Sequence, residues 1–112
     1  MIADYFKEEE GRDTFMTEYG FCTYSINKST GEFFCAHVYV KPDQRGTGKA
    51  VEFGELLEKH AKSIGAKCLT GNVWFNEANR KRFTKKLRFF EAVGFKIDTV
   101  KENVITIYKP LE

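Results

Sequence analysis

Cysteine, proline, histidine and tryptophan are all scarce in this chain. Its 112 residues include three Cys, two Pro, two His and one Trp. Cys22, Cys35 and Cys68 form no C-x-x-C pair, and His37 and His60 are the only histidines that could complete a zinc site. Neither a disulfide framework nor a metal centre is expected, and reduced thiols in the cytoplasm are the simplest expectation. No apolar run approaches the length of a membrane span. The opening Met1-Ile2-Ala3-Asp4-Tyr5-Phe6 has no basic segment and no long apolar core, so no signal peptide is expected. An excess of one charge is missing as well. Lys and Arg total 18 against 16 Asp and Glu, a net charge of +2, which by itself gives no argument for nucleic acid and leaves the partner open. Repeats, linkers and low-complexity segments do not occur, so residues 1–112 read as one domain.

Aromatic residues are abundant by contrast: 11 Phe and 5 Tyr can fill a small core with few side chains. Residues 2–11 suit a short helix that stops at Gly11. Residues 14–18 and 21–26 read as strands joined by a tight turn near Gly20, and residues 27–31, Asn-Lys-Ser-Thr-Gly, form a turn cluster. Residues 32–40 are a third strand of the same antiparallel meander, ended by Pro42, which cannot donate to a ladder. Ala50, Phe53, Gly54, Leu57, Ala61 and Ile64 recur at helical spacing over residues 48–64, and Gly65 fits the C′ position. Residues 67–73 follow as a strand with Leu69 and Val73 as its apolar members. A second helix is expected over residues 77–93, with Phe83, Leu87, Phe90 and Val93 inward and Gly94 as its stop. Residues 95–100 and 103–108 close the chain as a hairpin. The fold class is mixed α+β: a mostly antiparallel central sheet flanked by helices.

The segment that carries chemistry is Arg45-Gly46-Thr47-Gly48-Lys49-Ala50, between a strand and a helix. A helix start leaves about four backbone N–H groups unpaired, and the helix dipole adds positive potential there. Gly46 and Gly48 permit close approach of a diphosphate, while Arg45 and Lys49 can add charge. A Walker A loop fits poorly, because Asp43 stands at its first glycine and Ala50 at its hydroxyl. A dinucleotide fingerprint fails at Val51, where the third glycine belongs.

The arrangement resembles the GNAT superfamily of N-acetyltransferases. Arg45-x-x-Gly48-x-Ala50 matches the family's [QR]-x-x-G-x-[GA]. Val38-x-Val40-x-Pro42 matches the strand and Pro before it, and Phe89-Phe90-Glu91-Ala92-Val93-Gly94-Phe95 matches the closing signature. The likeness spans residues 14–109. It implies a GNAT-like acyl-CoA N-acyltransferase fold and acetyl-CoA as the cofactor. The pyrophosphate would lie on Arg45, Gly46, Thr47, Gly48, Lys49 and Ala50, and the pantetheine along the backbone of Val38, Tyr39 and Val40. The thioester would enter a splay between that strand and the next. The implied reaction is direct attack of a primary amine, on a small molecule or a protein lysine, on the acetyl carbonyl.

The resemblance departs from the family at the chemistry. The position of the family's proton-donating Tyr is Phe90, and that of its usual Asn is Phe83. Tyr108, Tyr39 or a water could replace the acid. The base is sought at His37 or at Glu32, though Phe34 fits the family's Glu position better. His37 is expected on the face opposite Val38 and Val40, where a hydrogen-bonded surface role competes with catalysis. Cys35 reads first as a packing residue. Trp74 and Phe75 read first as core or edge residues and second as flanks of the acyl site. The basic residues Arg80, Lys81, Arg82, Lys85, Lys86 and Arg88 read first as a solvated helix face and second as a contact for the 3′-phosphate of CoA. A GNAT-like module that binds CoA or a protein without turnover is the alternative, and nucleic-acid binding through residues 80–88 the weakest one. The short segment before the first strand implies an open acceptor site, which favours a macromolecular acceptor or a site completed by a partner subunit. No membrane partner is expected, and the chain is expected to be a monomer or homodimer.

Overall fold

The structure is a computed structural model, and it describes residues 13–44 and 48–111. The helix expected over residues 2–11 lies outside the described residues, as do Arg45, Gly46 and Thr47. Six strands form one sheet in the order β1-β2-β3-β4-β6-β5. They are β1 (Asp13–Met16), β2 (Gly20–Asn27), β3 (Glu32–Val40), β4 (Cys68–Trp74), β5 (Lys96–Lys101) and β6 (Val104–Pro110). Helix α1 (Lys49–Ser63) connects β3 to β4, and helix α2 (Arg80–Ala92) connects β4 to β5.

Strands β1, β2 and β3 form the expected antiparallel meander, β3 and β4 are parallel, and the remaining pairs are antiparallel. The first turn comes earlier than expected. It spans residues 17–19, where Thr17 N–H donates to the Gly20 carbonyl at 2.9 Å and the Thr17 hydroxyl accepts from Tyr19 N–H at 3.0 Å. Gly20 is itself the first residue of β2. A Cβ there would lie 1.9 Å from the Tyr39 carbonyl oxygen, so only glycine lets β2 and β3 approach at this end.

Phe53, Leu57 and Ala61 bury the inner stripe of α1, as their spacing dictates. Ile64 does not join them. The helix ends at Ser63, Gly65 takes up a φ of 89°, and Ile64 is 40% exposed. The second helix starts later than residue 77. The Asn76 side chain accepts from Asn79 N–H at 3.1 Å and the Asn79 side chain accepts from Asn76 N–H at 2.9 Å. This reciprocal cap closes a 3-10 turn over Glu77–Asn79 before α2 begins. Both helices pack on one face of the sheet. Val38, Phe53, Gly54, Leu57, Leu69, Phe89, Phe90, Val93 and Phe95, drawn from β3, α1, β4 and α2 and the turn that follows it, meet around a cavity of only about 10 Å³. Lys109 from β6 reaches across this layer to Glu58 on α1 at 2.6 Å and to the Val93 carbonyl after α2 at 2.8 Å.

Among the described residues no helix lies on the other face. The alternation of strand side chains directs Glu32, Phe34, Thr70, Asn72, Trp74, Thr106 and Tyr108 there.

Candidate functional site

The site begins at a fault in β3. Thr23 pairs with His37 but the adjacent Tyr24 pairs with Cys35, so Ala36 is an extra residue, a β-bulge. The bulge resets the alternation. Phe33 and Cys35 face the helices before it, and Val38 and Val40 face the helices after it. It also bends β3 away from β4. The parallel ladder runs from Glu32↔Cys68 to Cys35↔Gly71 and stops, although β3 continues to Val40 and β4 to Trp74. The two strands therefore part at their C-terminal ends, which is where parallel sheets accept ligands.

One arm of this cleft leads into the glycine segment. β3 ends at Val40, a 3-10 turn covers Pro42–Gln44, and α1 opens behind Gly48. Gly48 has φ 85° and ψ −9°, the left-handed region, and a Cβ placed on it would meet nothing within 4 Å among the described residues. Its conformation favours glycine while the space around it stays open. No described side chain caps the first turn of α1. The Lys49 and Ala50 amides thus belong to the unpaired N–H set of a helix start, a setting that suits an anion.

The Lys49 side chain is engaged elsewhere. Its ammonium lies 3.4 Å from Glu52 and 5.3 Å from the centroid of the Tyr19 ring, and the Tyr19 hydroxyl donates to Glu52 at 3.0 Å. Glu52 raises the pKa of Lys49 by its charge and that of Tyr19 by its hydrogen bond. Lys49 therefore offers the segment its backbone, while its charge is drawn back toward the β1–β2 turn.

The four residues considered for proton transfer share the face opposite α1 and α2 but not one position. Tyr39, two residues past His37, packs its ring against Phe21 at a centroid distance of 5.5 Å. His37 is exposed and stands just past the bulge, on the face opposite Val38 and Val40. Tyr108 pairs with Thr70, one residue before the ladder's end at Gly71, and is 37% exposed. Glu32 lies at the far end of the ladder, three residues before Cys35, about 10 Å from the fork. Its carboxylate accepts the Thr70 hydroxyl at 2.8 Å. Geometry thus brings His37 and Tyr108 near the fork, while Glu32 starts farther back on β3 and reaches forward to Thr70, the residue paired with Tyr108.

Phe90 lies on the helix side of the fork, 6% exposed and packed against Phe89 and Phe95 at centroid distances of 5.3 and 5.2 Å. The cavity it shares with Val38 is about 10 Å³, at the lower limit for a single ordered water, and its lining is almost wholly apolar. Among the described residues no proton donor stands beside Phe90 in that layer apart from Lys109, whose ammonium is held by Glu58.

Cys22 and Cys35 are buried on adjacent strands. A hydrogen bond between the thiols, then burial, raises the Cys22 pKa far above its ordinary value, so these are packing thiols and not nucleophiles. Among the described residues no cluster of His, Cys, Asp or Glu could hold a metal, and no helix is long and apolar enough to cross a membrane.

Sequence reasoning passed over Asn72. It occupies β4 one residue past the ladder's end, directly across from Thr106 on β6, and its side chain makes no hydrogen bond among the described residues. The signal was available: an amide side chain inside a strand expected to be central and apolar. Trp74 departs from its expected core or edge role, since β4 is an internal strand and the ring is 61% exposed.

No protein-family model and no curated protein matches the sequence. Solved structures do match. A GNAT-family acetyltransferase structure from Desulfovibrio desulfuricans superposes with a TM-score of 0.73 at 14% identity, over 96% of this chain and 75% of that one. The Bacillus subtilis acetyltransferase in complex with CoA gives 0.69 at 14% identity, over 99% and 83%. Spermidine N-acetyltransferase from Vibrio cholerae, in complex with CoA and spermine, gives 0.71 at 13% identity, over 97% and 71%. The mixed sheet, the forked parallel pair and the two helices on one face are the GNAT acyl-CoA N-acyltransferase fold.

Proposed function

We propose that the chain is an N-acetyltransferase that moves an acetyl group from acetyl-CoA to a primary amine. The observation that carries this is the end of the β3–β4 ladder at Cys35↔Gly71, beside a left-handed Gly48 that opens α1. A fork of this kind offers backbone to an amide-bearing chain, and an open helix start offers N–H groups to a diphosphate. CoA has both parts. By resemblance, Val38, Tyr39 and Val40 take the pantetheine, and Gly48, Lys49 and Ala50, together with Arg45, Gly46 and Thr47, take the pyrophosphate. Acetyl-CoA, when bound, supplies the activated acetyl thioester. The matching solved structures include acetyltransferases in complex with CoA or acetyl-CoA, which supports the same cofactor here.

The chain's own contribution is positioning and proton handling on the helix-free face. His37 is the candidate to receive a proton from the acceptor's ammonium, and Tyr108 the candidate to donate one. Glu32, held by Thr70 behind the fork, is the weaker base. One observation favours a second reading, a CoA-binding module with little turnover: Phe90 brings no donor to the family's acid position. The chain acts as a monomer or homodimer in the cytoplasm on either reading.

The test has two parts. Acetyl-CoA should raise Tm by several degrees, and Gly48→Asp, which adds strain at φ 85° and a negative charge beside the pyrophosphate, should abolish that rise while the variant stays folded. Free thiol should then appear only when a primary amine is added. An unchanged Tm in the wild type would sink the cofactor assignment. A shift without thiol release would leave the binding module in place of the enzyme.

A further inference from the structure

The helix-free face beside the fork carries side chains that acetyl transfer to an unspecified amine does not explain. Trp74 is the chain's single tryptophan and is 61% exposed at the end of β4. Tyr108, 37% exposed, lies on the same face. Between them along the sheet is Asn72, with Thr106 directly opposite at a Cβ separation of about 5 Å. Trp74 is the next residue of β4 on this face, about 7 Å along the strand. Thr106 in turn bonds with Thr99 on β5, whose N–H donates to the Thr106 hydroxyl at 3.0 Å. An unpartnered amide, beside a hydroxyl shared with Thr99, therefore sits between two solvent-facing aromatic rings, one residue from where the strands part.

We propose that this surface is the acceptor pocket and that its acceptor is an amino sugar, an inference that rests on the acetyl-transfer reading. A pyranose shows apolar C–H groups on its ring faces and hydroxyls around its rim. An exposed indole flanked by an amide and a hydroxyl matches both, the ring by stacking and the rim by hydrogen bonds. The charge pattern separates this acceptor from polyamines and lysine-rich peptides. Strands β3, β4 and β6 place one carboxylate on this face, Glu32, and it is occupied by Thr70. Lys96 and Lys101 border the same face on β5, opposite Tyr108 and Val104. Asp98, the exposed bulge residue of β5, lies between these two lysines, so the face offers a polycation no surplus of carboxylates, while an acceptor with a single amine and many hydroxyls needs none. Small-molecule recognition here replaces the macromolecular acceptor that the sequence alone favoured.

Trp74 is its own reporter. The emission of the wild-type protein, saturated with CoA, would be followed while glucosamine, spermidine or a lysine peptide is added. Glucosamine should change the emission saturably at millimolar concentration or below. Asn72→Leu should raise its apparent Kd about tenfold, and Thr106→Val should raise it several-fold, each with an unchanged Tm rise from acetyl-CoA. The proposal is overturned if spermidine or the peptide saturates at lower concentration, or if both variants bind glucosamine as the wild type does. It is equally overturned if sedimentation shows a dimer whose Trp74 emission is blue-shifted and unresponsive, because a second copy then covers the ring. A wild type that binds glucosamine but shows no Tm rise with acetyl-CoA would sink the acetyl-transfer reading and leave the sugar surface standing, so the two failures are distinguishable.

Discussion

Single residues decide both the chemistry and part of the stability. Phe90 shows how a substitution can keep a layer intact while removing its proton donor. It is packed between Phe89 and Phe95 and supports the wall behind the fork. Phe90→Tyr should leave acetyl-CoA affinity nearly unchanged and raise the rate of thiol release, as measured by steady-state kinetics with saturating amine. A loss of folding, read by circular dichroism, would show that the position tolerates no hydroxyl and acts only in packing.

A second residue pair holds the helix layer to the sheet. Lys109 donates to Glu58 on α1 and to the Val93 carbonyl that ends α2. The hydrogen bond from Lys109 holds the Glu58 carboxyl below its ordinary pKa, against the opposing effect of burial. A depressed carboxyl contributes stability that is fully present above the ordinary Glu value and is lost as pH falls through the lower folded value. Urea midpoints of the wild type should therefore fall as pH drops below the ordinary carboxylate range. Glu58→Gln should cost about 1.5 kcal/mol near neutrality, and its deficit should shrink as the solution is acidified. A deficit that does not change with pH would mean that the ion pair contributes nothing beyond packing.

At the scale of elements, the fork is made by the bulge at Ala36 and by the close approach at the far end of β2. A residue with a side chain at position 20 would collide with the Tyr39 carbonyl, so β2 could not stay paired with the free-running end of β3. Gly20→Ala should destabilise the fold by about 3 kcal/mol, measured by denaturant unfolding, and should weaken acetyl-CoA binding more than that loss explains. Every described strand and helix was legible in the sequence, because its periodicity and its glycine or proline stops are local signals. Errors gathered at the boundaries where side chains reach back to the chain. The Asn76–Asn79 reciprocal cap delayed α2, and the Thr17 turn shortened β1. Capping bonds of this sort depend on rotamers that residue spacing does not specify.

At the scale of the whole molecule, the glycine segment and its neighbours announced a CoA-type site, because a strand, a tight turn and a helix start are contiguous in the chain. The face on which side chains meet was not announced. His37 and Tyr108 are 71 positions apart in sequence yet both stand near the fork, because β6 inserts between β4 and β5 in the sheet. Asn72 and Thr106 become neighbours by the same insertion. Glu32 already read as lying far back on its strand, and the parallel register places its backbone at the closed end of the ladder. By itself the sequence determined the class of fold, the order of elements and the segment fit for a diphosphate, since each depends on residues within one or two turns of one another. Only the tertiary structure decided where the strands part, which side chains share the helix-free face and which charges are already neutralised. Those outcomes depend on register and on contacts between distant segments, and local propensity carries no record of them.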